Sequence, residues 1–211
     1  MEFVKPKLIV ISAPSGSGKT SVFKQARVIL PNLMFSISYT TRQPRAGEAD
    51  GSDYFFTDTE RFKQMIADDQ FLEWAEVYGN FYGTSKSYIA ESQQAGKIVV
   101  LDIDVQGAIQ LQQLPDLDAV FVYIMPPSLD ELSKRLTNRG TEDEDSLKRR
   151  LANAEKEMSY RDRYDYQIVN DDLDQAVDDF LKVVIQECYE LKGELESDIN
   201  RVIRELHSPL V

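Results

Sequence analysis

The segment from Leu8 to Thr20, LIVISAPSGSGKT, constrains this chain more than any other. An apolar run rich in β-branched residues leads into a Gly/Ser-rich loop. The loop ends in Lys19-Thr20, where a helical pattern of Val22, Ala26, Ile29 and Leu30 begins. A strand running straight into a glycine loop and a helix belongs inside a sheet, with the helix laid across it. Gly16 and Gly18 let backbone N–H groups turn inward, and the helix N-terminus adds its positive end, so Ala13, Pro14, Ser15, Gly16, Ser17, Gly18, Lys19 and Thr20 form a cradle suited to phosphate oxygens. Lys19 supplies a point charge for the outer phosphates of a nucleotide and Thr20 a hydroxyl for Mg²⁺. Ala13 stands where the general pattern has its first glycine; Gly18-Lys19-Thr20 are in place.

Three further runs, IVVLDID at 98–104, AVFVYI at 119–124 and YQIV at 166–169, are nearly continuous in apolar character rather than alternating, as buried parallel strands are. Helical spacing follows: Ser128 as N-cap with Glu131 at the third position before Leu132 and Leu136, and later Leu173, Val177, Phe180, Leu181, Val184 and Cys188. Strands alternating with helices give an α/β fold, a parallel sheet flanked by helices. Asp102 ends one apolar strand, where enzymes with such a loop hold Mg²⁺ or its water shell; the plainer reading is a cap for the helix that follows.

Two stretches interrupt this rhythm. Residues 37–95 carry the strand-like pieces SISYTT, DYFF and FLEWAEV, turn signals at Pro44, Gly47 and Gly51, and a helix capped at Thr57 with Glu60 three residues on, an inserted α+β lobe. Residues 135–163 are mostly charged with few apolar anchors, a helical piece expected to pack loosely and to move. The tail has Leu195, Ile199, Val202, Ile203 and Leu206 at helical spacing, a stripe that packs on its own domain or faces a partner, so that a homo-oligomer through this helix is one expectation.

At 211 residues the chain is one domain with insertions rather than two full ones. A net charge of −12 argues against a broad nucleic-acid or anionic-membrane surface, so an anionic ligand must be held by a local cluster. With Cys188 and His207 each the sole residue of its kind, an intrachain disulfide and a Cys/His zinc site are excluded. No apolar run is long enough for a secretory core or a membrane span, which makes the cytoplasm the expected location.

Such a cluster is offered by SISYTTRQPR, where Arg42 and Arg45 lie three apart in a Pro-punctuated loop; guanidinium forks match phosphate oxygens and stay charged. In FLEWAEV, Glu73 falls on the same strand face as Phe71, Ala75 and Val77. A carboxylate there needs a partner, either an Arg of the protein or a ligand with two adjacent N–H donors.

APSGSGKT, SYTTRQPR with GEADGSDYFF, EWAEVYGNFYGTS, LDIDVQG, RLTNRGTE with KRRL, and IVNDDL occur together and in order, and together they resemble the guanylate kinase family over about residues 7–186. Glycine or alanine is usual in that family at the position of Ala13. The resemblance implies a kinase-like domain over 4–186, with a core of 4–36, 96–134 and 164–190, a GMP-binding insert at 37–95 and a lid at 135–163, followed by a helical extension at 191–211. It implies that Arg42, Arg45 and Tyr54 hold the GMP phosphate with Tyr82 in support. Ser38, Glu73, Gly83, Thr84 and Asp104 would face the guanine, and Asn170 the adenine of ATP. Arg135, Arg139 and Arg150 would close over the transferring group and join Lys19 and Arg42 as catalytic residues, with Thr20 and Asp102 at Mg²⁺. Lys148 and Arg149 are read as a solvated helix face.

The activity implied is transfer of the ATP γ-phosphoryl to GMP or dGMP, in purine nucleotide metabolism. Guanine offers N1–H and N2–H₂ to one carboxylate, whereas adenine would leave Glu73 unpaired. Two alternatives differ in class: a protein-binding module of the same fold, argued against by the presence of Lys19, Thr20, Asp102 and the lid arginines, and a sibling kinase of a phosphorylated sugar, which gives Glu73 no purpose.

Overall fold

The computed structural model describes residues 2–3, 7–77, 79–138, 144–190, 199–200 and 203. In chain order the first elements are β1 (Glu2–Phe3), β2 (Leu8–Ser12), α1 (Lys19–Ile29), β3 (Leu33–Phe35), β4 (Tyr39–Thr40), β5 (Phe55–Phe56), α2 (Thr59–Ala67), β6 (Phe71–Val77), β7 (Asn80–Ser85) and α3 (Lys86–Gln94). There follow β8 (Ile98–Asp102), α4 (Val105–Gln112), β9 (Ala119–Met125), α5 (Leu129–Asn138), α6 (Glu144–Met158), β10 (Tyr166–Val169), α7 (Leu173–Cys188) and β11 (Tyr189–Glu190).

The main sheet has five parallel strands in the order β10-β9-β2-β8-β3. Every residue of β2 is buried because both faces are covered. On one face Ile9, Ile11, Val100, Val122 and Ile124 meet Val22, Phe23 and Ala26 of α1 and Val177, Phe180 and Val184 of α7. On the other, Val10, Leu101 and Tyr123 meet Val105, Ala108 and Leu111 of α4. This two-sided burial is why these strands read as unbroken apolar runs. Leu173, by contrast, is 37% exposed and does not continue the buried stripe of α7. Ile199 and Ile203 are buried in the main core, so these two tail residues pack on their own chain; Leu195, Val202 and Leu206 lie outside the described residues.

A second sheet of four strands has the order β5-β4-β7-β6. Its hairpin β6-β7 is antiparallel, and Gly79, at φ 78°, makes the turn. Phe62, Met65 and Phe71 form its core with Tyr39, Ile66 and Phe81 around them. The cap of α2 is Asp58 and not Thr57: the Asp58 carboxylate accepts from the Arg61 N–H at 2.7 Å. Ser128 caps α5 as expected, accepting from the Glu131 N–H at 3.1 Å, and Leu132 and Leu136 of α5 are buried against Ala154, Leu147 and Leu151 of α6.

Between β8 and β9 the chain passes from one side of β2 to the other, which opens a crevice above the carboxyl ends of the strands, the usual place for ligands in such sheets. Ile11 of β2 pairs with Asp102 of β8, so the glycine loop and Asp102 emerge side by side.

Candidate active site

The loop between β2 and α1 is shaped by two glycines in left-handed conformations. Gly16 has φ 100° and Gly18 φ 91°. A Cβ on Gly16 would stand 2.8 Å from Leu136, and one on Gly18 would collide with the Asn170 side-chain amide. Neither position has room for a side chain, and only glycine takes both conformations freely. Asn170 is buried beneath this loop: its Nδ2 donates to the Ser17 carbonyl at 2.7 Å and its backbone N–H to the Met125 carbonyl at 2.8 Å. It therefore ties the end of β10 to the loop. The cap of α7 is Asp172, which accepts from the Gln175 N–H at 2.9 Å. Ser15 and Thr20 are exposed along the rim.

Lys19 makes an ion pair with Asp102. Asp102 does not cap the helix after it; Asp104 does, accepting from the Gly107 N–H at 2.8 Å. The same Asp104 borders a cavity of about 310 Å³ whose wall also includes Ser38, Tyr54, Glu73, Tyr82 and Asp102. Strands of the second sheet thus supply one wall and the carboxyl end of β8 the other. The β6-β7 register shifts between Phe71 and Glu73. Phe71 accordingly sinks into the small core, while Glu73, Ala75 and Val77 line the cavity, which corrects the single face expected for all four.

Glu73 is mostly buried and accepts from the Thr84 hydroxyl at 2.5 Å. Burial pushes its carboxyl above the ordinary range, and the nearby Asp104 adds to this, while the Thr84 hydrogen bond acts in the opposite direction. At the loop end, the Arg42 guanidinium lies over the Tyr54 ring at 5.3 Å, and Tyr54 meets Tyr82 edge-on at 6.0 Å. Burial raises the Tyr54 phenol as well, so it is a neutral donor at physiological pH. Arg45 is exposed.

From the helical pair, Arg150 of α6 donates to the Ser15 hydroxyl at 2.5 Å, and Arg135 of α5 pairs with Glu131 at 3.3 Å. Arg139 lies outside the described residues. Lys148 and Arg149 are exposed, as expected of a solvated face.

Two carboxylates escaped the sequence reading. Glu48 holds Arg42, with Glu48 Oε1 2.8 Å from Arg42 Nη2. Glu157, seven residues beyond Arg150 on α6, is half-buried and its carboxyl is raised, by burial first and by Asp104 second, against a lowering by Lys19. Its helical spacing from Arg150 was the available signal.

The guanylate kinase family model matches residues 5–187. The chain belongs to the guanylate kinase family. Among curated relatives, a guanylate kinase of Dechloromonas aromatica is 51% identical over 177 residues, covering 84% of this chain and 87% of the relative. A guanylate kinase of Caldanaerobacter subterraneus is 44% identical over 199 residues, covering 94% of this chain and 95% of the relative. The crystal structure of guanylate kinase from Anaplasma phagocytophilum shares the architecture, with a TM-score of 0.69, 33% identity and 90% coverage of both chains. No helix among the described residues is long and apolar enough to cross a membrane.

Proposed function

We propose that this protein transfers the γ-phosphoryl group of ATP to GMP, giving ADP and GDP. One observation carries the choice of acceptor: a partly buried carboxylate, Glu73, lines a cavity that reaches Asp102, the partner of Lys19. A purine presenting two adjacent N–H donors pairs with Glu73, and the loop of Arg42 and Arg45 receives its phosphate. Thr84 and Asp104 set the carboxylate's environment, and Ser38 lies on the same wall as a hydroxyl for the guanine carbonyl. The phosphorylated-sugar reading leaves Glu73 without a partner. The protein-binding reading leaves the glycine loop and the Lys19–Asp102 pair without a purpose.

In this mechanism the attacking atom is an oxygen of the GMP phosphate. With a second pKa of about 6 it is an anion already, so no Ser, Cys or His nucleophile and no dedicated base is required. Catalysis is positioning plus electrostatics. Backbone N–H groups of the glycine loop bind the ATP phosphates, and Lys19, paired with Asp102, and Arg150, bonded to Ser15, add positive charge at the loop. Asn170 holds the loop in shape through the Ser17 carbonyl. Arg135 and Arg139 approach with the helical pair, whose closure keeps water out and limits hydrolysis.

The donor set suits Mg²⁺. Asp102 and Thr20 offer hard oxygens on the exposed rim, and the described residues hold no group of three or more carboxylate, Cys or His ligands, so the remaining ligands would be phosphate oxygens and water. Bound there, the ion would neutralise charge on the phosphates. These residues also imply Mg-ATP as the form used.

The test is ADP release from Mg-ATP with GMP, dGMP, AMP, UMP, a phosphorylated sugar or no acceptor, run beside Lys19→Met. Turnover with GMP or dGMP alone, lost by about 10²-fold or more in the folded variant, is expected. Turnover with the sugar phosphate instead, or near-normal turnover in Lys19→Met, would overturn the assignment.

A further inference from the structure

Glu48 sits in the exposed loop after β4, in the run RAGEADG, where an acidic residue ordinarily serves only solubility. Here both of its oxygens are engaged. Oε1 accepts from Arg42 Nη2 at 2.8 Å and Oε2 accepts from the Arg45 backbone N–H at 2.8 Å. The Glu48 N–H in turn donates to the Arg45 carbonyl at 3.1 Å, which closes the 45–48 turn on itself. Arg42 is fixed further by Nη1 donating to the Gln43 carbonyl at 2.8 Å and by the rings of Tyr54 and Phe56, at 5.3 and 5.9 Å. The two side chains are only 14% and 20% exposed, unlike an ordinary surface pair. Arg42 and the Arg45 N–H hold the Glu48 carboxyl below the usual carboxylate range, so it stays charged.

We infer that Glu48 is a positioning residue for the acceptor's phosphate: by bridging the Arg42 guanidinium and the Arg45 backbone, it sets the two arginines of the loop at a fixed separation before the ligand arrives. The inference rests on the reading that this loop receives the GMP phosphate. A guanidinium has five N–H donors, and the contacts to Glu48, Gln43 and Tyr82 leave donors for phosphate oxygens. Arginine loses much rotamer freedom on binding when it is free to swing, and a guanidinium clamped beforehand loses less. A carboxylate that merely kept the phosphate's place would bind the guanidinium groups of both arginines. Glu48 takes the backbone N–H of Arg45 instead, a contact that shapes the loop.

Glu48→Gln keeps the shape and removes the charge, and its amide can accept from only one of the two donors. Binding of GMP and of guanosine, which lacks the phosphate, is measured by calorimetry for the wild type, Glu48→Gln and Glu48→Asp, with thermal midpoints and KM for ATP alongside. The expected result is a loss of GMP affinity of about 10- to 100-fold in Glu48→Gln, with guanosine affinity and KM for ATP unchanged and Glu48→Asp intermediate. An unchanged ratio of GMP to guanosine affinity in the variants would overturn the role of Glu48. So would tighter GMP binding, which a place-holding carboxylate predicts, or an equal loss for guanosine, which a general structural role predicts. Equal affinity of the wild type for GMP and guanosine would instead refute the assignment of the loop to the phosphate.

Discussion

Glu73→Gln separates stability from recognition, because one buried charge affects both. The Glu73 carboxyl is raised in the folded protein, chiefly by burial, so folding favours its protonated form. The sign follows. Stability associated with that proton is fully present below the unfolded pKa of about 4.3 and is lost as pH rises through the folded pKa. At pH 7 Glu73 therefore weakens the ligand-free protein, and glutamine relieves the penalty while its carbonyl still accepts from the Thr84 hydroxyl, the partner seen at 2.5 Å. For GMP the balance reverses. Two bonds from guanine to a carboxylate become one neutral bond and one donor facing a donor, a loss of about 2–3 kcal/mol or roughly 30- to 150-fold in kcat/KM. Adenine, which presents an acceptor beside a donor, matches an amide better than a carboxylate, so the AMP:GMP ratio of kcat/KM should rise. The assays are thermal melting at pH 7 and pH 4 and ADP release with GMP and AMP. A variant melting above the wild type at pH 7, with that gap narrowed at pH 4 and GMP turnover weakened, is expected. Unchanged kcat/KM for GMP would refute the pairing of Glu73 with guanine, and a variant less stable at pH 7 would refute the penalty assigned to its charge.

Two further outcomes follow from burial and backbone geometry. Gly18→Ala places a Cβ at φ 91° against the Asn170 amide, which must give up the Ser17 carbonyl; a loss of about 2 kcal/mol or more in urea unfolding, with weakened ATP binding, is expected. Cys188 is fully buried, and that burial pushes its thiol up to about 11, so iodoacetamide at pH 8 should leave the native protein unlabelled and modify it fully after denaturation; rapid native labelling would show that the end of α7 opens.

What could be read from the sequence followed the range of the interactions. Three strands of the main sheet, β2, β8 and β9, were legible because helices cover both faces and nearly every position is apolar; β10 was read the same way, yet it is an edge strand with Gln167 and Val169 exposed. Leu33–Phe35 was not legible, because three residues are too few to show a period, and Asn80–Ser85 was hidden by its glycine and polar residues, although it lies between β4 and β6. Thr57 and Asp58 both carry a capping oxygen, and only the backbone turn selects Asp58. In the site, the glycine loop is local and was plain. The pairing of Lys19 with Asp102 was not, because the partner comes from a strand more than eighty residues away, and neither was the capping of α4 by Asp104. Asn170 could be named but not oriented, since its bond to Ser17 spans 153 residues. Glu48 is the instructive failure: its partners lie within six residues, yet an acid in a Gly/Ala-rich loop looks like any solvated charge.

Four of the cations proposed to meet phosphate share one property: each is already engaged by an acceptor of the protein. Lys19 has Asp102, Arg42 has Glu48, Arg135 has Glu131 and Arg150 has the Ser15 hydroxyl. In a chain of net charge −12 this arrangement orders the positive groups without dispersing them among the surrounding acids. It does not block them, because an ammonium carries three N–H donors and a guanidinium five, and each pairing uses only part of that set. The acceptors therefore fix direction while spare donors await phosphate oxygens. Donors aligned in advance need little reorganisation when charge develops on the transferring group, which is the condition under which electrostatic stabilisation lowers a barrier most. Some of the acids that argued against a broad nucleic-acid surface thus become the groups that aim Lys19, Arg42 and Arg135.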